Sequence, residues 1–551
     1  MKKHWRVKHL RPENSLSADT LVNILLEDRG YLTEEQREEF LNPRLQNLTD
    51  PLLLPNIREA VERVEQALQR GEHMAIYTDY DVDGMTSAAL LFRFLCTLGG
   101  SPSVFVPERM REGYGLTLPG LERAQAERKP HLLIALDCGT TSIAEIAHLR
   151  QQGIDVIVLD HHEVPPGPRV DAILVNPHLS GQEEYLASVG LVFKFCHALL
   201  KLRGSPEAFD LKKYIDLVAL GTVADLAPLQ GDNRILVKQG LRSMNQTTHI
   251  GLQELMKVAG LRRPPTPSTC GFILGPRLNA SGRISQAEAG WRLLITDDRP
   301  QARKLALELD VLNKQRQELE QRVMTEAEDS LLENFDQGVD RCIVVASRDW
   351  HPGVVGIVAS RLQRRYYRPS IVISISESGM GKGSCRTIEG CSIMELLRGC
   401  SNLLEAYGGH EMAAGLSLQE SNISSFRMAA NAWLAERFSP ETFEQELAID
   451  FELKSDELDE NLADALARME PFGRCNPAPV FMVRQAEIIG TPRKIAQKHI
   501  RFRARVEGRE FDAIGFGMAD QEIPSRAPDL AGIWEMDEYT ESTCMRLVDW
   551  K

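Results

Sequence analysis

Three carboxylates alternate in Asp79-Tyr80-Asp81-Val82-Asp83-Gly84, directly after a short apolar run that ends at Thr78. A second acid, Asp137, stands where the apolar run 131–136 stops, and Asp160-His161-His162 stands where the run 155–159 stops. Asp225, at the end of Gly221-Thr222-Val223-Ala224-Asp225, is a further candidate. Each group has an ordinary explanation on its own. A strand-end Asp often caps the next helix, a lone His is usually packed or solvated, and Asp225 alone reads better as a helix cap than as a ligand. Their coincidence carries the weight, because so many carboxylates facing one crevice would repel one another unless cations lay between them. Carboxylate with imidazole and no thiolate suits Mn²⁺ or Mg²⁺, whereas structural zinc would bring Cys. Two such ions about 3.5 to 4 Å apart, bridged by one carboxylate, would clamp the attacking and leaving oxygens of a phosphate ester. The chemistry implied is phosphoester hydrolysis. An EF-hand is excluded: its twelfth position would be Leu90 instead of Glu, and a strand precedes the loop where a helix should.

These residues reach one place only if the elements before them lie side by side. Ala60, Val61, Val64, Ala67 and Leu68 fall at helical spacing, and short unalternating apolar runs follow at 73–78, 103–106, 131–136, 155–159 and 172–175. Helical segments are expected between them at 86–98, 118–127 and 142–152. Such runs separated by helices mean a parallel sheet covered on both faces, a doubly wound α/β fold whose ligands bind beyond the carboxyl ends of the strands. Residues 1–298 are read as a helical segment plus this catalytic domain. Residues 299–335 are read as one long connecting helix, since Ala302, Leu305, Leu309, Leu312, Leu319 and Val323 recur at threes and fours. A second α/β domain is expected over 336–440. Short strands expected at 447–451, 480–489, 499–506 and 510–515 make 441–551 a C-terminal β-barrel.

The 551 residues carry 43% hydrophobic and 26% charged side chains, which excludes disordered and fibrous classes. A net charge of -14 argues against bulk attraction of polyanions, but not against local basic patches. The ten cysteines include no C-x-x-C pair, which fits a reducing compartment. There is no apolar leader at the N-terminus and no run of about 18 apolar residues, so the chain is read as cytoplasmic with no membrane partner.

In order, Asp81-x-Asp83-Gly84, Asp137, Asp160-His161-His162 and Asp225 resemble the four motifs of the DHH phosphoesterase superfamily, and the whole-chain layout resembles the superfamily's single-strand-specific 5′ to 3′ DNA exonucleases. The resemblance implies that Asp83, His161 and Asp225 hold one ion and Asp81 the other, with Asp137 bridging. It implies His162 at the scissile phosphate and Asp160 behind an imidazole. One position departs: many members have a histidine four residues before the first ligand Asp, and here that residue is Tyr77. The first ion site is therefore expected to be weaker, or to recruit Asp79 or water.

Other segments are candidates for holding the strand. In 106–116, Arg109 follows a strand and Tyr114 lies nearby, and the resemblance has them meet phosphate and strand path. Gly275-Pro276-Arg277-Leu278-Asn279-Ala280-Ser281-Gly282-Arg283 reads equally well as a mere turn or as a phosphate loop, and the resemblance favours Arg277 and Asn279 as contacts. Gly381–Arg386 and Gly408–Gly415 read as glycine-rich loops. In the resembling substrate-binding domain Ser384, Arg386 and His410 hold phosphates, including the 5′ end. Basic residues crowd 484–509, where Arg501, Arg503 and Arg505 alternate and so share one strand face. An OB-fold with such a face tracks single strands, and Phe472 and Phe502 are candidates to stack on bases. The expected activity is Mn²⁺- or Mg²⁺-dependent hydrolysis of single-stranded DNA to 5′ mononucleotides in repair and recombination. The strand is expected to thread between the two α/β domains, and a single-strand-binding protein and a helicase are compatible partners. The alternatives are a phosphodiesterase for short oligonucleotides or cyclic dinucleotides and a noncatalytic strand-binding scaffold.

Overall fold

The computed structural model describes residues 3–9, 14–108, 112–113, 115–126, 128–181, 185–284, 288–523, 527–537 and 540–551. The chain forms two compact units, Val7–Asp310 with Ala448–Lys551, and Met1–Arg6 with Val311–Leu447.

In the larger unit, five parallel strands lie in the order Ser103–Phe105, Met74–Thr78, Leu132–Leu136, Asp155–Leu159 and Ile173–Val175. Every residue of Met74–Thr78 and Leu132–Leu136 is buried, which is why neither run alternates. Thr78 pairs with Leu136 and Leu136 with Leu159, so Asp79, Asp137 and Asp160 leave neighbouring strands at one level. The helices Ile57–Arg70 and Ser188–Arg203 add Val61, Val64, Leu191 and Phe195 to the core under the sheet. The helix after the first acid motif begins at Val82, four residues before the position expected from its apolar spacing. Asp81 caps it by accepting from Gly84 N at 3.0 Å, and this places Asp83 in the first helical turn. Gly84 is tolerated there because a Cβ would lie 2.5 Å from Asp79 O.

The barrel in the same unit has seven strands in the order Phe451–Glu452, Phe481–Val483, Leu530–Asp537, Ser542–Trp550, Arg509–Gly515, His499–Val506 and Glu487–Ile495. The run read as one strand over 480–489 is two, broken at Gln485 with φ 47°. The last two strands and the helix Glu460–Arg468 were not expected; Leu530–Asp537 is buried over its first five residues and so carries no alternation to read. Leu21, Val22, Leu25 and Leu26 of the helix Ala18–Glu27 share the barrel's core with Leu462, Leu466 and Trp534, so this N-terminal helix packs with the C-terminal strands.

The smaller unit holds a five-stranded mixed sheet in the order Ala406–Gly409, Ala413–Gln419, Met380–Arg386, Ser370–Ile375 and Ile343–Ser347, flanked by the helices Val355–Tyr366 and Ile423–Arg437. The segments read as glycine loops are therefore largely strand: Gly381–Arg386 lies inside one, and Gly408–Gly415 is a hairpin with His410 in its turn. Arg299–Asn334 is a single helix of 36 residues. No helix among the described residues is long and apolar enough to cross a membrane.

Candidate metal centre

The acid motifs converge. Ligand atoms of Asp83, His161 and Asp225 lie within 4.8 Å of one another, as do atoms of Asp79, Asp81 and Asp137, and of Asp137, Asp160, His161 and His162. Asp137 and His161 each belong to two of these groups, with His161 Nε2 3.0 Å from Asp137 Oδ1 and 3.9 Å from Asp83 Oδ2. His161 Nδ1 lies 3.9 Å from Asp225 Oδ2. Asp83, Asp137, Asp160 and His161 are buried, while Asp225 and His162 keep a partly open edge.

Each side chain is set by its local backbone. Asp137 takes φ 60°, a left-handed conformation that turns the chain directly out of its strand. Asp83 receives Ser188 N at 2.7 Å and Val189 N at 2.8 Å, both from the first turn of the helix Ser188–Arg203. Asp225 caps the C-terminal end of the helix Ile215–Ala224. Asp160 accepts from Thr140 N at 3.0 Å, His161 N at 2.8 Å and His162 Nδ1 at 2.7 Å. Asn176 donates to Thr140 Oγ1 at 3.1 Å and His162 O at 2.9 Å, bracing the same loop.

The electrostatics follow from burial. Burial and then the Asp81 charge push Asp83 up to about 7, against the two amides that favour its carboxylate. Burial, then Asp83 and Asp81, push Asp225 up to about 9, and Asp137 is raised well above the carboxylate range by burial and its acidic neighbours. Burial, with His162 beside it, pulls His161 down to about 4, so it is neutral and able to ligate. For His162 burial acts downward, but the bond to Asp160 overrides it and lifts the imidazole to about 9. Burial acts upward on Asp160, yet His162, His161 and the Thr140 side chain hold it below the usual carboxylate range.

This donor set fits a pair of hard divalent cations. Among the described residues Asp225 Oδ2 and His161 Nδ1 are buried without a hydrogen-bond partner, and the ligand atoms are carboxylate and imidazole throughout. Asp79, the residue expected to be recruited to the first ion site, lies within ligand range of Asp81 and Asp137. Tyr77 does not join the cluster: it is fully buried with Leu116 and Leu121, and its hydroxyl donates to Gly115 O at 3.1 Å.

The strand-handling candidates fare unevenly. Arg109 and Tyr114 lie outside the described residues. Arg277 and Asn279 sit in the helix Gly275–Ile284, not in a turn. Arg277 is ion-paired to Asp310 at 3.0 Å, and Asn279 Oδ1 is buried without a partner among the described residues. Ser384 and Arg386 are bonded to each other at 3.1 Å and lie against Gly356 in the first turn of the helix Val355–Tyr366, where a Cβ would meet Ser384 Oγ at 3.0 Å. Arg501, Arg503 and Arg505 do share an outward face, but Arg501 pairs with Asp512 and Asp537, Arg503 with Glu510 and Asp512, and Arg505 with Glu510 and Glu487. Phe502, proposed to stack on bases, is buried in the barrel core because the alternate positions of its strand face inward.

Sequence reasoning missed Asn176, Tyr185, the Ser188 and Val189 amides and Arg474. Asn176 directly follows the strand Ile173–Val175, so a fourth strand end was there to be read; the amides carry no side-chain signal. Tyr185 meets His161 edge-on at 5.2 Å, and Arg474 stands 5.7 Å from the Tyr185 ring.

The family models described as DHH family, N-terminal domain, DHHA1 domain and RecJ OB domain match residues 73–222, 340–436 and 449–548. The single-stranded-DNA-specific exonuclease RecJ of Bacillus subtilis is 35% identical over 547 residues, covering 97% of this chain and 68% of that protein. The protein of the same name from Haemophilus influenzae is 34% identical, covering 100% of this chain and 98% of its own length. The crystal structure of RecJ in complex with Mn²⁺ from Thermus thermophilus matches with a TM-score of 0.83 at 32% identity, over 100% of this chain and 79% of that one. With the three parts in the same order and relatives alike along essentially its whole length, the chain belongs to the RecJ family.

Proposed function

We propose that the chain is a metal-dependent exonuclease that hydrolyses single-stranded DNA from the 5′ end to 5′ mononucleotides, in DNA repair and recombination. The observation that carries this reading is the cluster in which Asp137 and His161 are shared between groups of buried ligands. Asp83, His161 and Asp225 would hold one Mn²⁺ or Mg²⁺ and Asp81 with Asp79 the other, and Asp137, whose ligand atoms belong to two of the groups, would contribute to holding them. When bound, the ions supply positive charge to the phosphate oxygens and to the attacking water. Ser188 and Val189 fix the Asp83 carboxylate before any ion arrives, which removes a reorganisation cost. Asp160 holds His162 as an imidazolium through Nδ1, so that its other N–H donates to a nonbridging oxygen of the scissile phosphate.

Ser384 and Arg386, at the first turn of the helix Val355–Tyr366, combine hydroxyl, guanidinium and helix N-terminus, a set suited to a terminal phosphate. His410 adds a donor there, and Arg109, Tyr114, Arg277 and Asn279 follow the strand. Single-stranded DNA is the substrate, a single-strand-binding protein and a helicase are further partners, and the cytoplasm is the site of action. Digestion of end-labelled oligonucleotides tests the reading: Mn²⁺-dependent release of mononucleotides from the 5′ end is expected. Sustained activity in EDTA, or an Asp137→Ala variant as active as the parent, would sink it.

The ion-paired barrel face favours one rival, a phosphodiesterase for short oligonucleotides. Removing the barrel is a poor test, since the helix Ala18–Glu27 shares its core. Substrate length is a better one: kcat/KM that rises from trinucleotide to 30-mer supports the exonuclease, and a preference for the trinucleotide supports the rival.

A further inference from the structure

The turn 471–477, which lies between the helix Glu460–Arg468 and the strand Phe481–Val483, is fastened from both sides. Asn476 is fully buried and donates to Met469 O at 3.0 Å and Pro471 O at 2.8 Å, while Gly473 and Asn476 exchange backbone bonds at 2.9 and 3.1 Å. From the catalytic domain, the buried Arg234 guanidinium donates to the carbonyls of Phe40 at 2.8 Å, Glu470 at 3.0 Å and Pro471 at 3.4 Å. Leu229 N donates to Arg474 O at 2.9 Å, and Gly473 sits so near that a Cβ would lie 2.7 Å from Leu229 Cδ1. A turn held this tightly presents the exposed side chain of Arg474 in a fixed place.

That place is the edge of the acidic cluster. Arg474 Nη1 reaches the carbonyl of Leu226, the residue after Asp225, at 3.5 Å, and its guanidinium carbon lies 5.7 Å from the Tyr185 ring centre. Tyr185 in turn meets His161. The arginines of the strand His499–Val506 each face carboxylates, whereas Arg474 has no ion pair among the described residues. A guanidinium held at the edge of an acidic cluster that would bind cations has one complementary substrate group, the phosphate of a neighbouring nucleotide.

We propose that Arg474 is a substrate-binding residue of the catalytic cleft, its guanidinium gripping the phosphate next to the one being cut. The barrel domain thereby completes the catalytic site of the domain it packs against. This assignment rests on the exonuclease reading above and adds to it a contact made from outside the DHH segment.

The test uses Arg474→Ala and Arg474→Gln in the full chain, each also combined with Asp137→Ala so that binding is measured without cutting. Gln keeps an N–H for Leu226 O but no charge. Both variants should raise KM for a single-stranded 30-mer about 10-fold with kcat within about 3-fold of the parent, because a charged hydrogen bond to substrate is lost. In the Asp137→Ala background they should lower the slope of log affinity against log salt by about 0.7, the value for one phosphate contact on a single strand. Mn²⁺ titration and melting temperature should stay as in the parent. Parental KM and salt slope in Arg474→Gln, or lost activity that tracks weakened Mn²⁺ binding, would overturn the assignment and leave Arg474 as a brace for the loop after Asp225. A parent chain that binds Mn²⁺ but digests no single strand would overturn the exonuclease reading and this contact with it.

Discussion

In the catalytic cluster the charges of Asp83 and Asp225 act on Asp137, and burial raises all three above the carboxylate range. On the barrel strand His499–Val506 the opposite holds: Arg501, Arg503 and Arg505 are outward and met by Asp512, Glu510, Glu487 and Asp537. Both regions are dense in charge, and a count of acids or bases along the chain treats them alike. Pairing separates them. Where like charges are buried without a counter-charge, the missing partner is a ligand, and where each charge has its opposite across the strand, most of the attraction has already been used.

The sharpest way to break this contrast is Asp137→Ala. Loss of the carboxylate shared by two ligand groups should lower kcat on the order of 10³-fold at saturating Mn²⁺, and a loss under about 10-fold would mean that the cluster is not the reaction centre. Next in size is Asp160→Asn, which removes the negative charge that keeps His162 protonated; about 10- to 100-fold lower activity is expected, with the loss growing as pH rises past 7. On the barrel, Asp512→Asn should tighten binding of single-stranded DNA about 2- to 5-fold and steepen its salt dependence, since Arg501 and Arg503 both lean on that carboxylate. Unchanged binding would mean that this face does not meet the strand at all.

The smallest effect is thermal. Asp83 at about 7 and Asp225 at about 9 are raised above the ordinary 3.8, so the stability they contribute to the metal-free chain is complete below about pH 4. It is lost as pH rises through 7 and then 9. Melting followed by calorimetry should therefore fall with pH in EDTA, and Mn²⁺ should restore more at pH 9 than at pH 6, each kcal/mol moving the midpoint of a unit this large by about 1 °C. Equal Mn²⁺ shifts at both pH values would contradict the buried, uncompensated state of the cluster.

Legibility followed the same division between local and long-range causes. Strand ends, the acids that follow them and the helix Arg299–Asn334 were readable because a short buried run or a three-four spacing is a local property. The early start of the helix at Val82 was not, since Gly84 and Asp83 look unhelical until the cap at Asp81 and the close approach to Asp79 are known. Gly381–Arg386 has a loop's composition but is a central strand, stabilised by pairing with Ser370–Ile375 and Ala413–Gln419 on its two sides. The Ser188 and Val189 amides and Arg474 contribute through contacts more than 100 residues distant in the chain, where side-chain type offers no guide. The arginine ladder was read correctly as one face and incompletely as a charge, because its carboxylates arrive from other strands.

The close approach at Gly84 has a counterpart at Gly221, where a Cβ would stand 3.1 Å from Asp83 Oδ1 and 2.8 Å from Val189 Cγ1. Two residues with no functional group thus set the tolerance of a cluster defined by functional groups. A survey that ranks positions by what their side chains could do would pass over both, whereas a random-mutation screen for inactive variants would return them beside the aspartates, through crowding instead of lost chemistry.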